Sequence, residues 1–91
     1  MKIKFCPTLS DHDTQVTPEP PDIVLLDGER YEFPSKIVNF DVELPFLEAH
    51  READELFVSL QVFYSPAQRN VWENPSYNGT ETYRGALYED F

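Results

Sequence analysis

Cysteine is almost absent from this sequence: Cys6 stands alone among 91 residues. One thiol cannot close an internal disulfide, and secreted domains of this size usually carry several, so a reducing cytoplasm is the expected compartment. Glycine is nearly as scarce, with three residues, and these form no phosphate-cradling loop, which argues against nucleotide hydrolysis. Basic side chains are few as well. Seven Lys and Arg stand against 17 Asp and Glu, a formal net charge of −10, and such a balance repels nucleic-acid phosphates and anionic lipid. Direct DNA, RNA or membrane-surface binding is therefore not expected. No apolar run approaches the roughly 18 residues of a membrane span. The opening Met1-Lys2-Ile3-Lys4-Phe5-Cys6-Pro7 lacks the apolar core of a secretory signal, and in a cytoplasmic protein Asn78-Gly79-Thr80 reads as a turn rather than a glycan acceptor.

What remains is 41% hydrophobic and 14% aromatic, enough to drive folding of one small domain over residues 1–91. Residues 1–64 carry the β signals and residues 65–91 an irregular aromatic tail. Lys2 to Cys6 alternates as a short strand. Residues 11–21 hold Pro18, Pro20 and Pro21, whose missing N–H donors and fixed φ mark a loop. Ile23-Val24-Leu25-Leu26, then Asp27-Gly28, then Glu29-Arg30-Tyr31-Glu32-Phe33 predicts a hairpin with a two-residue type I′ turn. That register places Leu26 opposite Glu29 and Val24 opposite Tyr31, and puts Val24, Leu26, Tyr31 and Phe33 on one face. Val38 to Leu44 alternates apolar and polar residues between Pro34 and Pro45, the pattern of a half-buried strand. Phe57 to Tyr64 is apolar on the Val58, Leu60 and Val62 face and reads as the central strand. Residues 46–56 fit two readings: a short helix through Ala49, Ala53, Leu56 and Phe57, or a hairpin turning at Ala53-Asp54-Glu55. The expected core is Phe5, Val24, Leu26, Tyr31, Phe33, Phe40, Val42, Leu56, Val58, Leu60 and Val62. The expected fold is mainly β, a single antiparallel sheet or partly open barrel of hairpins.

Candidate chemistry is thin. Asp11-His12-Asp13 pairs an imidazole with carboxylates, but His50 is the only other nitrogen ligand and lies in a charged run, so a solvated loop is the simpler reading. Cys6 continues an alternating strand and reads as a buried small hydrophobe, not a nucleophile. No serine sits in a nucleophile elbow. The sequence accordingly predicts no catalytic residue, no metal site and no cofactor. Ten of the 17 acidic side chains fall in residues 22–64, beside three of the seven basic ones. Glu29, Glu32, Asp41, Glu43, Glu48, Glu52, Asp54 and Glu55 form the candidate acidic surface. Such a surface either mimics nucleic-acid phosphates in the basic groove of a host protein or serves solubility. Trp72, Tyr77, Tyr83 and Tyr88 are the candidate partner-binding residues, since large rings give contact area at low entropic cost.

Lys2-Ile3-Lys4-Phe5-Cys6-Pro7, the Asp27-Gly28-Glu29-Arg30-Tyr31-Glu32-Phe33 hairpin and the run Ala49-His50-Arg51-Glu52-Ala53-Asp54-Glu55-Leu56-Phe57-Val58-Ser59-Leu60, in that order, resemble a group of small proteins encoded by tailed bacteriophages and prophages. The resemblance spans residues 1–64. This chain departs from the group at Ala53-Asp54-Glu55, where Gly is usual, and in its aromatic rather than Pro-rich apolar C-terminal stretch. The resemblance implies a β-rich fold, a hairpin over residues 46–56, and phage genes often near the tail cluster. It carries no established activity. The expected function is thus a non-enzymatic protein–protein interaction module, accessory to virion or tail assembly. Its partner would be a phage or host protein or a second copy, its location the bacterial cytoplasm or the virion. The alternative is an acidic inhibitor of a host nucleic-acid-binding protein.

Overall fold

Residues 56–64 alternate buried and half-buried positions without a break, and the strand they belong to organises everything else. A computed structural model of the protein describes residues 1–73 and 87–91. Its strands are β1 (Lys2–Leu9), β2 (Val16–Glu19), β3 (Ile23–Leu26), β4 (Glu29–Glu32), β5 (Phe46–Glu52), β6 (Glu55–Tyr64) and β7 (Glu89–Asp90), with a 3₁₀ turn at Pro66–Gln68 and one short helix, α1 (Arg69–Glu73). The larger sheet has the order β5-β6-β1-β7 and the smaller one the order β2-β3-β4. Leu56, Val58, Leu60 and Val62 of β6 are fully buried beside Ile3 and Phe5 of β1. They share one apolar cluster with Val24 and Leu26 of the smaller sheet, with Phe33 directly after β4, and with Phe46 and Ala49 of β5. Period-2 alternation thus gives both sheets one inward face.

The mainly β expectation holds, and the strands among the described residues form no closed barrel. The larger sheet is mixed rather than antiparallel, because β1 runs parallel to β6, from Lys2 opposite Phe57 to Leu9 opposite Tyr64. Between these strands the chain leaves the sheet, builds the smaller one and returns, as a parallel neighbour requires a crossover. The turn at Asp27-Gly28 is as expected: φ is +51° and +84°, and Val24 faces Tyr31 while Leu26 faces Glu29.

Three readings need correction. Residues 11–21 are not wholly loop, since Val16–Glu19 pairs with β3. Pro18 is accommodated because β2 is an edge strand, where a missing donor costs no ladder bond. Residues 38–44 do not form a strand. They contribute one bridge, Asn39 to His50, held by Phe40 N–H donating to Ala49 O at 3.2 Å and Arg51 N–H to Val38 O at 2.7 Å. Phe40 and Val42 do pack on the core, but Val38 and Leu44 are 59% and 71% exposed, so the alternation serves burial of its middle only. Cys6 is half-buried on the solvent face, opposite Gln61, and is not part of the core.

Residues 46–56 form the hairpin β5–β6, which resolves the helix-or-hairpin alternative. Glu52 pairs with Glu55, so the turn is Ala53-Asp54, with φ of +49° and +66°. Left-handed backbone costs about 1–2 kcal/mol for a residue with a Cβ, and Asn-Gly is the favoured solution. Replacing Ala53-Asp54 by Asn-Gly is therefore expected to stabilise the protein by about 1 kcal/mol in urea denaturation. An unchanged midpoint would show that the turn carries no strain.

Candidate interaction surfaces

The outward residues of β6 are not the polar set that a wet face usually carries. Phe57 lies there, opposite His50 on β5. The His50 ring stacks on it with centroids 5.1 Å apart and planes 5° from parallel. On the other side Tyr88 meets Phe57 edge to face at 5.3 Å, and its hydroxyl is 3.3 Å from Ser59 Oγ. His50, Phe57 and Tyr88 thus form a continuous aromatic row, with Tyr88 37% exposed. Two carboxylates fix the imidazole: its Nδ1 bonds Glu48, and its Nε2 lies 3.5 Å from Glu52.

The hydrogen bond that His50 donates to Glu48 chiefly, with a smaller contribution from Glu52, raises the His50 pKa above its ordinary 6.5, against the opposing effect of partial burial. A raised folded-state pKa stabilises the protein while the unfolded chain is also protonated, and that gain is lost as pH rises through the folded value. Wild type is therefore expected to lose thermal stability relative to His50→Gln as pH rises from about 6.5 through the raised folded-state value. Parallel melting curves for the two proteins would sink this assignment.

A second feature opens between β4 and residues 41–44, a cleft of about 500 Å³. Buried Phe33 and Phe46 and half-buried Tyr31 and Val42 line its depth, and exposed Glu32, Asp41, Glu43 and Arg30 its rim. The rings interlock edge to face, Tyr31 on Phe46 at 4.9 Å and Phe33 on Phe46 at 5.3 Å. Burial first and Glu29 second push the Tyr31 phenol above its usual pKa. Arg30 reaches Glu32 at 3.6 Å.

The structure disperses the sequence-level sets. Among the acidic residues, Glu29 and Glu32 lie on β4, Asp41 and Glu43 on the connector, Glu48 and Glu52 beside His50, and Asp54 in the β5–β6 turn. Glu55 pairs with the Met1 amine at 3.3 Å. Of the aromatic set, Tyr77 and Tyr83 lie outside the described residues. Trp72 packs on the core at Phe5, whereas Tyr88 belongs to the opposite face of the same sheet, so these two do not make one surface. His12 sits 3.1 Å from Asp11 and over Phe63 at 5.0 Å. Asp13 instead accepts from Ser65 N–H at 2.8 Å and Ser65 Oγ at 2.9 Å, tying the loop to the end of β6. Among the described residues no group of three or more His, Cys, Asp or Glu is placed to hold a metal ion, and no helix is long and apolar enough to cross a membrane.

Two features escaped the sequence reading. Phe57 was legible only as part of a mixed outer face, and its row with His50 depends on the hairpin register. Arg51, assigned to a charged surface run, is buried; nothing in its neighbours signals that. No protein-family model, no curated protein and no solved structure matches the chain.

Proposed function

We propose that this protein is a non-enzymatic protein–protein interaction module of phage or prophage origin, accessory to virion or tail assembly in a bacterial host. The observation that supports this reading is the row His50, Phe57 and Tyr88 on the solvent face of the larger sheet. Rings already ordered by stacking on a rigid sheet lose little freedom on binding, and aromatic anchors dominate interface energetics. Tyr88 adds a hydroxyl beside Ser59 Oγ, which gives an apolar patch a polar handle.

The test is affinity capture from phage-producing cells at low and high salt, with wild type, Tyr88→Ser and Tyr88→Phe. A salt-insensitive complex with a phage protein, lost in Tyr88→Ser and kept in Tyr88→Phe, is the expected result. Identical capture by all three proteins would discard the row as the contact surface. The second reading, an acidic inhibitor of a host nucleic-acid-binding protein, is favoured by Asp41 and Glu43, which are exposed and have no ion-pair partner among the described residues. It requires a basic target and a complex that dissociates with added salt.

A further inference from the structure

We propose that the cleft between β4 and residues 41–44 binds an extended peptide segment bearing Lys or Arg, which adds to β4 as a further strand. The smaller sheet ends at β4. Phe33 N–H donates to Asp22 O at 2.8 Å, and Val24 and Leu26 face Tyr31 and Glu29. In an antiparallel ladder hydrogen-bonded and non-hydrogen-bonded pairs alternate. The main-chain groups of Glu29, Tyr31 and Phe33 therefore point to β3, and those of Arg30 and Glu32 point away from it. Among the described residues these outward groups have no main-chain partner. Two donors and two acceptors in register, with no proline between residues 29 and 33, are a template for strand addition.

The cleft also selects its occupant. An added strand would turn one face toward Tyr31, Phe33 and Phe46 and align its other face with Arg30 and Glu32, so apolar and charged residues would alternate along it. Glu32, Asp41 and Glu43 outnumber Arg30 on the walls, which attracts cationic side chains and repels acidic ones. A second copy of the chain is disfavoured because it brings another charge of −10 to walls that are already acidic. The cleft belongs to the edge of the smaller sheet and is separate from the aromatic row.

The test uses the full chain, ¹⁵N-labelled, with a capped six-residue peptide alternating Lys and Val as the probe and its Glu/Val counterpart as the control. The expected result is saturable shift changes confined to residues 30–33 and 41–46, slowed hydrogen exchange at the Arg30 and Glu32 amides, and no response to the acidic control. Arg30→Pro removes one outward N–H together with a cation. Strand pairing predicts at least tenfold weaker binding by this variant, whereas attraction by charge alone predicts tighter binding. N-methylation of the peptide supplies a test that leaves the protein untouched: methyl groups on the amides facing β4 abolish binding, and those on the alternate amides do not. Binding by Arg30→Pro equal to or tighter than wild type, shift changes centred on Glu48 and Glu52, or sedimentation of the free protein as a dimer that protects Arg30 and Glu32 would each overturn the proposal.

Discussion

Replacing Arg51 by Met is expected to cost about 3 kcal/mol of folding stability, the low end of the range for removing one partner of a buried ion pair, because the Asp22 partner is half-buried. The Arg51 Nη2 group donates to Phe33 O at 2.7 Å and Pro34 O at 3.2 Å, and its Nε to Ile37 O at 3.1 Å. Nη2 also lies 2.8 Å from the Asp22 carboxylate, and the guanidinium carbon sits 5.8 Å from the centre of the Phe40 ring. One side chain on β5 thus satisfies three main-chain acceptors of the connector after β4 and a carboxylate at the start of β3. Methionine matches the length and apolar stem of arginine but donates nothing, so those acceptors lose their partners and Asp22 its counter-charge. The buried Phe33 acceptor left unpaired costs about 1–3 kcal/mol, and the partly buried Pro34 and Ile37 acceptors cost less, because water reaches them. Removing the charge as well, in Arg51→Met with Asp22→Leu, is expected to recover only part of the loss, because the three carbonyls remain. Arg51→Lys keeps the charge without the planar fork and should fall between. Exposed Arg30→Met is the control, within about 0.5 kcal/mol of wild type. Urea midpoints decide the matter, and an Arg51→Met protein within 1 kcal/mol of wild type would show that water replaces the clamp at little cost.

Arg51 also marks where the sequence stops being legible. Ala49 and Arg51 both point inward, but a small alanine two residues before an arginine does not by itself mark the buried face of a run that also holds His50 and Glu52. The signals that could be read were local. Asp27-Gly28 dictates a turn by backbone sterics alone, and β6 announces itself by an apolar residue at every inward position from Leu56 to Tyr64. Pairing between distant strands was not legible, because β1 and β6 each present an apolar face and nothing local states that they lie side by side and parallel. The misread at residues 38–44 has the same cause. Alternation shows that a segment can bury one face, but a strand also needs a neighbour with free main-chain groups, and the connector meets β5 over a single bridge before turning away. The cleft follows from that departure, which is why it was invisible beforehand. Glu32, Asp41 and Glu43 were identified as acidic positions. Their convergence on opposite walls depends on the path of the connector.

The aromatic tail carries the second large expectation. Trp72→Ala should destabilise the protein by about 2–3 kcal/mol, below the 3–5 kcal/mol of a fully buried tryptophan because this ring is half-buried. Trp72 meets Phe5 edge to face at 5.5 Å and stacks against Tyr64 at 6.4 Å with the planes 28° apart. Phe5 also contacts Phe91 at 6.1 Å, so the inward ring of β1 is covered by two aromatics from the C-terminal part of the chain. Helix α1 has five residues, too short to persist on its own propensity; packing of Trp72 is what fastens it to the sheet. Truncation to Ala removes that anchor and exposes Phe5 together. Trp72→Phe should restore more than half of the loss, since a smaller ring still meets Phe5. A partner-binding tryptophan behaves differently: its truncation leaves the melting temperature unchanged and weakens only the complex. Tyr88 is the internal comparison, because its ring stands on the solvent face and Tyr88→Ser should cost less than 1 kcal/mol while affecting capture. The single tryptophan of the chain makes the measurement direct in the wild type: its fluorescence should shift to the red at the same urea concentration as the far-ultraviolet signal of the sheets. A red shift completed at lower urea than the loss of sheet would separate the tail from the core and reverse the assignment of Trp72.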